Sequence, residues 1–315
     1  MKLSARVLLV MVTLVLLTVG AIGVVLYTNL VPRIIDSDSI LALDQTTKLS
    51  QSFTSDIRQA EHDVTAAQSL PIVQEIADGE VSGPDWKAIL GEYFAAQLKA
   101  KPDYLQFRLI GVGDDGRELV RAERDIENDS VRIIPQAELQ TKEDSKYFTE
   151  ALSLSPDDVY ISDIELNREY GAVQVPHIPV IRIAKSVRTT DGTEFGFLII
   201  NVDMRSVFAR LQEDARADSN LYVVNEYGNY LLHPDQTRTF GFDLGHDFNL
   251  NYDFPSLAWP LTSDSSVELD VADKLGELFV IAAASVAPAG QRRAVIIQTI
   301  PIYTFYGNLV AAGKS

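Results

Sequence analysis

The sequence contains no cysteine and only four histidines among its 315 residues. Without cysteine the chain has no disulfides, no thiol nucleophiles and no zinc sites built on thiolates. None of the histidines shows the H-E-x-x-H spacing of zinc proteases, and no G-x-S-x-G elbow is present. The residues therefore assemble no catalytic constellation, and we predict neither a metal site nor a bound cofactor.

Positive charge is also scarce. The chain carries 27 Lys and Arg against 44 Asp and Glu, which gives a formal net charge of -17. Nucleic-acid binding needs clustered basic side chains that neutralise phosphates, so the composition argues against a nucleic-acid partner. Hydrophobic residues make up 46% of the chain, which is enough for most of it to fold.

A long uncharged apolar run occupies residues 7–28 and follows two basic residues, Lys2 and Arg6. About 20 apolar residues match a bilayer core of roughly 30 Å, whereas a signal-peptide core has about 7–15. Residues 20–23 make a poor cleavage site, so we interpret the run as an uncleaved transmembrane anchor; a cleaved signal is the alternative. The positive-inside rule then leaves residues 1–6 in the cytoplasm and the rest of the chain outside it.

Apolar residues recur at steps of three and four between positions 49 and 70, which predicts a long amphipathic helix. We expect Pro32 to break the chain just past the membrane and Pro71 to kink or stop the helix. These limits define a stalk helix within residues 34–83, and a second helix is predicted at 85–100. The apolar stripe of the stalk can face its own chain or a partner chain.

Beyond residue 100 the pattern changes to short β-rich runs separated by turn residues. The predicted strands are 104–112, 117–123, 159–164, 178–187 and 195–202, then 221–225, 230–233, 267–271, 277–286 and 293–300. This repeated order predicts an α+β chain with two modules, 84–204 and 220–301, each with a five-stranded antiparallel sheet. Residues 205–219 form a connecting helix, and 302–315 form an exit helix toward a second transmembrane segment.

The spacing G-x-G-x-x-G occurs at Gly111, Gly113 and Gly116, directly after an apolar run. A dinucleotide-binding fingerprint needs a strand, a glycine-rich turn and then a helix. Asp114 and Asp115 lie inside the turn and would repel a pyrophosphate, and the chain becomes polar too soon for a crossover helix. We therefore interpret the motif as the tip of a β-hairpin.

The segments that carry a resemblance to a known family are GRELVRAERD, KYFTEA, VYISDIELNREYG, VPHIPVIRIAKSV and EFGFLIINVDM. Over roughly residues 34–310 the chain resembles the double Cache (tandem PAS-like, PDC) extracytoplasmic sensor domains of bacterial histidine kinases, diguanylate cyclases and chemoreceptors. The resemblance lies in the order of the elements and in the general character of the sequence rather than in one motif. It implies two PAS-like modules, of which the membrane-distal one holds a small-molecule ligand and the proximal one passes the signal on. It also implies a homodimer in the bacterial inner membrane, with the sensor in the periplasm.

One branch of that family binds amino acids through Arg, any residue, Trp, Tyr and an Ala three positions later, followed by aspartates on the strands. The corresponding stretch here is SKYFTEA at residues 145–151, which keeps an aromatic pair and the alanine. Ser145 stands where the arginine would be, and Asn201 stands where the last aspartate would be. These departures weaken the expectation of an amino-acid ligand and leave the expectation of a pocket intact.

Six residues of the distal module are candidates for ligand binding: Arg121, Tyr147, Tyr160, Asp163, Arg182 and Asn201. A guanidinium in an apolar strand needs a partner and can grip a carboxylate. The aspartate can hold an amine, the tyrosines can wall a pocket, and the asparagine can present its amide. A purely structural role is the alternative for each residue. Together they suit an amino acid, an organic acid or an amine.

The sequence thus predicts the ligand-sensing region of a transmembrane signalling receptor, with no enzyme activity within this chain. A histidine kinase or diguanylate cyclase output domain would belong to the rest of the receptor. One alternative is a protein-binding or structural periplasmic ectodomain that uses no small molecule. A membrane-anchored enzyme is the other alternative, and no residues support it.

Overall fold

A computed structural model describes residues 3–255, 267–274, 277–288 and 293–304, except positions 82, 84, 114 and 154. Within this part of the chain, helix α1 (Leu3–Gln68) packs against strands of two antiparallel sheets. The predicted α+β architecture, with a long helix and two antiparallel sheets, is confirmed.

The buried face of α1 explains the long amphipathic pattern. The buried side chains of this face include Leu49, Phe53, Ile57, Ala60, Val64 and Ala67. The expectation of a break at Pro32 was wrong, because the helix continues through it. A proline removes one intrahelical hydrogen bond, and a long helix can tolerate that loss. No helix among the described residues is both long and apolar enough to cross a membrane, so the anchor at 7–28 stays a prediction.

Two further helices follow α1. Leu70 is extended, and Pro71 occupies the first turn of α2 (Pro71–Ala77), so the predicted stop is confirmed. Helix α3 (Asp85–Ala100) has the predicted bounds and covers the first sheet, where the ring of Phe94 stacks on Phe107 with a centroid distance of 4.1 Å.

The first sheet contains seven strands, not the five that the sequence predicts. Its strands are β1 (Tyr104–Gly111), β2 (Glu118–Asp125), β3 (Ser130–Ile133), β4 (Val159–Ile161), β5 (Glu165–Leu166), β8 (Pro179–Arg188) and β9 (Glu194–Asp203). The order is β3-β2-β1-β9-β8-β4, and β5 also pairs with β8. Strands β3 and β5 escape prediction because they are short edge strands, and β3 lacks a buried face.

Three smaller elements complete this part of the chain. Helix α4 (Lys146–Leu152) lies between β3 and β4, while β6 (Arg168–Glu169) and β7 (Ala172–Val173) form a separate hairpin. Helix α5 (Met204–Asp214) then leads to the second sheet, and it ends five residues before the C-terminal bound predicted for the connecting helix, 205–219.

The second sheet has the predicted five strands. They are β10 (Asn220–Val224), β11 (Tyr230–Leu232), β12 (Val267–Lys274), β13 (Glu277–Val286) and β14 (Ala294–Pro301), in the order β11-β10-β14-β13-β12. A short helix, α6 (Leu250–Asp253), follows β11. Most of the predicted exit helix, 302–315, lies outside the described residues. The module boundaries stay predictions.

The glycine motif is the tip of a hairpin, as predicted. Strands β1 and β2 pair antiparallel on either side of it, and the Gly111 amide donates to the Arg117 carbonyl at 2.9 Å. Gly116 has φ +65°, and a Cβ at this position would lie 2.8 Å from the backbone nitrogen of Glu143. The glycine is required here by its left-handed backbone and by the close approach of a neighbouring loop.

Candidate functional site

A cavity of about 860 Å³ lies on the face of the first sheet opposite α1 and α3. Helix α4 and the segment from β4 to the β6–β7 hairpin form its other walls. Five of the six predicted residues line this cavity: Tyr147, Tyr160, Asp163, Arg182 and Asn201. Whether they bind a ligand stays a prediction.

The alternation of side chains along the central strands places the polar residues. Phe107 and Leu109 of β1 point into the core beneath α1 and α3, so Arg108 points to the cavity side. Arg182 of β8 is directly opposite Asn201 of β9, and both share the cavity face. Three neighbouring strands therefore supply two guanidinium groups and an amide to one surface.

Arg108 is a residue that the sequence analysis missed. Its guanidinium is 2% exposed and donates to Asn201 Oδ1 at 2.8 Å, to Glu118 Oε1 at 3.2 Å and to the Tyr147 hydroxyl at 3.4 Å. Its Nε is buried and has no hydrogen-bond partner among the described residues. The sequence contains a signal for this residue, because Arg108 is the one charged residue of β1, and Arg182 likewise follows apolar residues in β8.

The Arg182 guanidinium is less well satisfied. Within the described residues it makes one hydrogen bond, a long one of 3.4 Å to Glu165 Oε2. It lies 5.1 Å from the centre of the Tyr147 ring, and the Arg108 guanidinium lies 5.6 Å from the same ring. Burial, and then the charge of Arg108, lower the pKa of Arg182, although an arginine still stays protonated at neutral pH.

Positive charge predominates around the cavity. Its cationic residues are Arg108, Arg117, Lys142, Lys146, Arg168 and Arg182, and its carboxylates are Asp144, Asp163 and Glu165. Burial, followed by the charge of Arg108, lowers the pKa of Lys142 to about 8. Both causes destabilise the protonated amine, so an anion placed beside it would be favourable.

The carboxylate of Asp163 is already engaged by two cations. Lys146 donates to its Oδ2 at 2.7 Å, and Arg293 donates to its Oδ1 at 3.0 Å. Tyr160 is occupied as well, since its hydroxyl donates to Glu150 at 2.7 Å. Burial, together with this contact, raises the pKa of the Tyr160 phenol. The amine-holding role considered for Asp163 would require a ligand to displace these partners.

Arg121 does not line this cavity. It lies at a neighbouring cavity of about 460 Å³ and is surrounded by carboxylates: Glu118 at 3.6 Å, Glu169 at 3.1 Å, and Glu123. Burial opposes the charge on Glu169, but Arg121 and two glutamine amides outweigh it and hold the pKa of that carboxyl at about 2. Tyr170, at the tip of the β6–β7 hairpin, borders both cavities.

Metal ligands do not converge in the described part of the chain, where no group of three or more His, Asp or Glu residues is arranged to hold an ion. The polar groups that converge on the cavity are mainly cations, together with amides, phenols and three carboxylates. This arrangement can bind and orient a small polar molecule, above all one with negative charge.

The family described as bacterial histidine kinase, sensor domain, matches residues 72–295, which is well over half of the sequence. The chain belongs to this family. Its sensor domain is not itself catalytic, and it represents the sensing part of a signalling receptor. No curated protein matches the sequence significantly.

Solved structures of the same fold come from three kinds of receptor. The extracellular domain of a putative histidine kinase has a TM-score of 0.71 and 20% identity, with 88% of this chain and 96% of that chain covered. A domain of a sensory box/GGDEF family protein from Vibrio parahaemolyticus has a TM-score of 0.69 and 20% identity, with 85% of this chain and 97% of that chain covered. The ligand-binding domain of a Campylobacter jejuni chemoreceptor, in complex with L-norvaline, has a TM-score of 0.59 and 13% identity, with 87% of this chain and 94% of that chain covered. The resemblance to double Cache sensors is confirmed.

Proposed function

We propose that this sensor domain detects a small organic anion in the cavity on the first sheet. The observation that carries the proposal is the state of Arg182, a buried guanidinium with five donors and one hydrogen bond of 3.4 Å among the described residues. A carboxylate facing Arg182 can accept two parallel hydrogen bonds, and such pairs are among the stronger contacts in proteins.

The balance of charge favours an anion over a zwitterion or an amine. An ammonium group would meet an excess of cations, and the nearest candidate for its partner, Asp163, is held by Lys146 and Arg293. Some structural relatives were solved with amino acids, including L-arginine and L-serine. This chain has Ser145 and Asn201 at positions where the amino-acid pattern has an arginine and an aspartate.

The receptor context completes the proposal. Residues 7–28 would anchor the chain in the bacterial inner membrane and place the sensor in the periplasm, with a homodimer as the working unit. Residues 84–204 would form the membrane-distal, ligand-binding module, and residues 220–301 the proximal one. Binding would have to favour one of two conformations of the receptor in order to carry a signal, since only differential affinity can shift such an equilibrium.

The test is a thermal unfolding scan of the full 315-residue chain in mild detergent against acetate, succinate, citrate, L-serine, L-arginine and choline. A ligand at 100 times its Kd adds about 2.7 kcal/mol, which raises the melting temperature by roughly 5–10 °C. We expect a di- or tricarboxylate to give the largest rise and Arg182→Gln to abolish it. Arg188→Gln, on the same strand but outside the cavity, should leave it unchanged.

Two results would contradict the proposal. A rise that is largest for choline or L-arginine would show that the cavity prefers a cation. An anion-induced rise that survives Arg182→Gln would place the site elsewhere. If no compound shifts the transition, the result would favour the alternative of an ectodomain that binds a protein.

A further inference from the structure

One wall of the cavity is the segment between β4 and β6. It contributes Ser162, Asp163, Glu165, Asn167 and Arg168. The same segment contacts the second half of the chain at two points, one at each end. A single stretch of backbone therefore borders both the candidate ligand and the second sheet.

The first contact is made by the Asp163 carboxylate, which is shared between the cavity and the second sheet. One oxygen accepts from Lys146, a cavity residue of α4, at 2.7 Å, and the other accepts from Arg293 at 3.0 Å. Arg293 directly precedes β14, and its amide donates to the Val286 carbonyl of β13 at 2.8 Å. The Arg293 side chain is 17% exposed and that of Asp163 is 34% exposed, so solvent only partly screens the pair.

The second contact holds the other end of the segment. Asp243 lies in the short 3-10 helix Gly241–Asp243 that follows β11. Its carboxylate accepts from the Leu166 backbone amide at 2.8 Å and from Arg168 at 3.3 Å. Because the acceptor side chain is 12% exposed and one donor is backbone, this contact is a fixed attachment. The contact at Asp163 is the one that a cavity residue can change.

We propose that Asp163 is a positioning residue that transmits occupancy of the cavity to the second sheet, an inference that rests on the proposed anion binding. An anion in the cavity competes with Asp163 for the Lys146 ammonium. As that pairing weakens, the carboxylate interacts more strongly with Arg293 and tightens the contact at the start of β14. Strand β14 is the central strand of its sheet and packs against α1, so the change reaches the long helix.

The coupling can be tested without any ligand. Lys146→Met removes the competing ammonium and thereby mimics its capture by an anion; the residue is 61% exposed, so the variant should fold. We expect amide hydrogen exchange at residues 293–297 of the full chain to slow by about two- to five-fold, the size of effect that a partly exposed ion pair can produce. Lys87→Met, on α3 and outside the cavity, is the matched control.

The double variant Lys146→Met/Asp163→Asn assigns the effect to the carboxylate. If Asp163 transmits the change, exchange at the start of β14 should not slow in the double variant. Unchanged exchange in Lys146→Met, or equal slowing in the single and double variants, would overturn the inference. The anion panel is a separate measurement. A ligand-induced rise in melting temperature without slower exchange in Lys146→Met would leave the proposed function standing and overturn the coupling. Slower exchange in Lys146→Met without any ligand-induced rise would leave the coupling standing and count against the proposed function.

Discussion

The substitution Glu118→Gln tests the buried charge network beneath the cavity. The Glu118 side chain is fully buried, 3.2 Å from Arg108 and 3.6 Å from Arg121, and also accepts from the Gln140 amide at 3.1 Å. Burial disfavours its charge, but the two guanidinium groups outweigh burial and lower the pKa of the carboxyl. At neutral pH the carboxylate is therefore the anion that pairs with Arg108, and it adds to the carboxylates around Arg121.

The magnitude follows from the cost of an uncompensated buried charge. Glutamine preserves the shape of the side chain and removes its negative charge, which leaves the nearly inaccessible Arg108 guanidinium without a paired carboxylate among the described residues, whereas Arg121 keeps Glu123 and Glu169. Breaking such a pair costs about 3–5 kcal/mol. At roughly 2–4 °C per kcal/mol, the melting temperature should fall by about 6–20 °C.

The assay is urea and thermal unfolding of the full chain, with Glu138→Gln as the control. Glu138 pairs with Arg132 at 3.3 Å, but both side chains are about half exposed, so its loss should cost below about 1 kcal/mol. The double variant Arg108→Met/Glu118→Met should recover part of the stability, since apolar residues can replace a buried pair. Equal costs for the Glu118 and Glu138 variants would refute the reasoning.

Two further predictions concern the pH dependence of stability and a turn. Burial, and then the charge of Arg238, lower the pKa of His233 below its ordinary value of 6.5, so the unfolded chain takes up a proton first. The contribution of His233 to the free energy of unfolding should be fully present above pH 6.5 and be lost as the pH falls below it. In His233→Gln, the urea midpoint should decline less steeply between pH 7 and pH 5. An equally steep decline in the variant would exclude His233 as its source. Gly116→Ala should lower the melting temperature, because φ is +65° and the new Cβ would lie 2.8 Å from backbone, whereas Gly113→Ala, with nothing within 4 Å, should be neutral. Equal melting temperatures for these two variants would contradict the close approach at Gly116.

The main elements could be predicted because their patterns are local. These patterns span only a few residues each: the recurrence of apolar residues at steps of three and four in the stalk, the β-rich runs of the central strands, and the glycines of the turns. The β6–β7 hairpin could not be predicted in the same way, because its two strands contain two residues each and are held by distant partners. Glu169, for example, is fixed by Arg121 and by Gln106 and Gln140.

The lining of the candidate cavity was predicted in part, and the two predicted arginines show why. Arg121 and Arg182 have the same local signal, an arginine flanked by apolar residues within a β-rich run. Arg121 meets three carboxylates, one of which, Glu169, comes from a hairpin 48 residues away, whereas Arg182 meets one at 3.4 Å. The pattern shows that a buried cation needs a partner. Only the tertiary structure shows whether the chain itself provides that partner.

The same distinction reconciles an acidic protein with the proposed anionic ligand. The net charge of -17 acts on molecules approaching the surface, where salt screens charges over about 8 Å at physiological ionic strength. Inside the cavity the relevant charge is that of Arg182, since Glu118 already pairs with Arg108; the Arg182 guanidinium is almost inaccessible to solvent and therefore little screened. Negative charge on the outside slows the approach of an anion, but the affinity depends on the cations that it meets on arrival. A carboxylate that reaches Arg182 would therefore meet a weakly screened cation, and we expect that attraction to outweigh the repulsion at the surface.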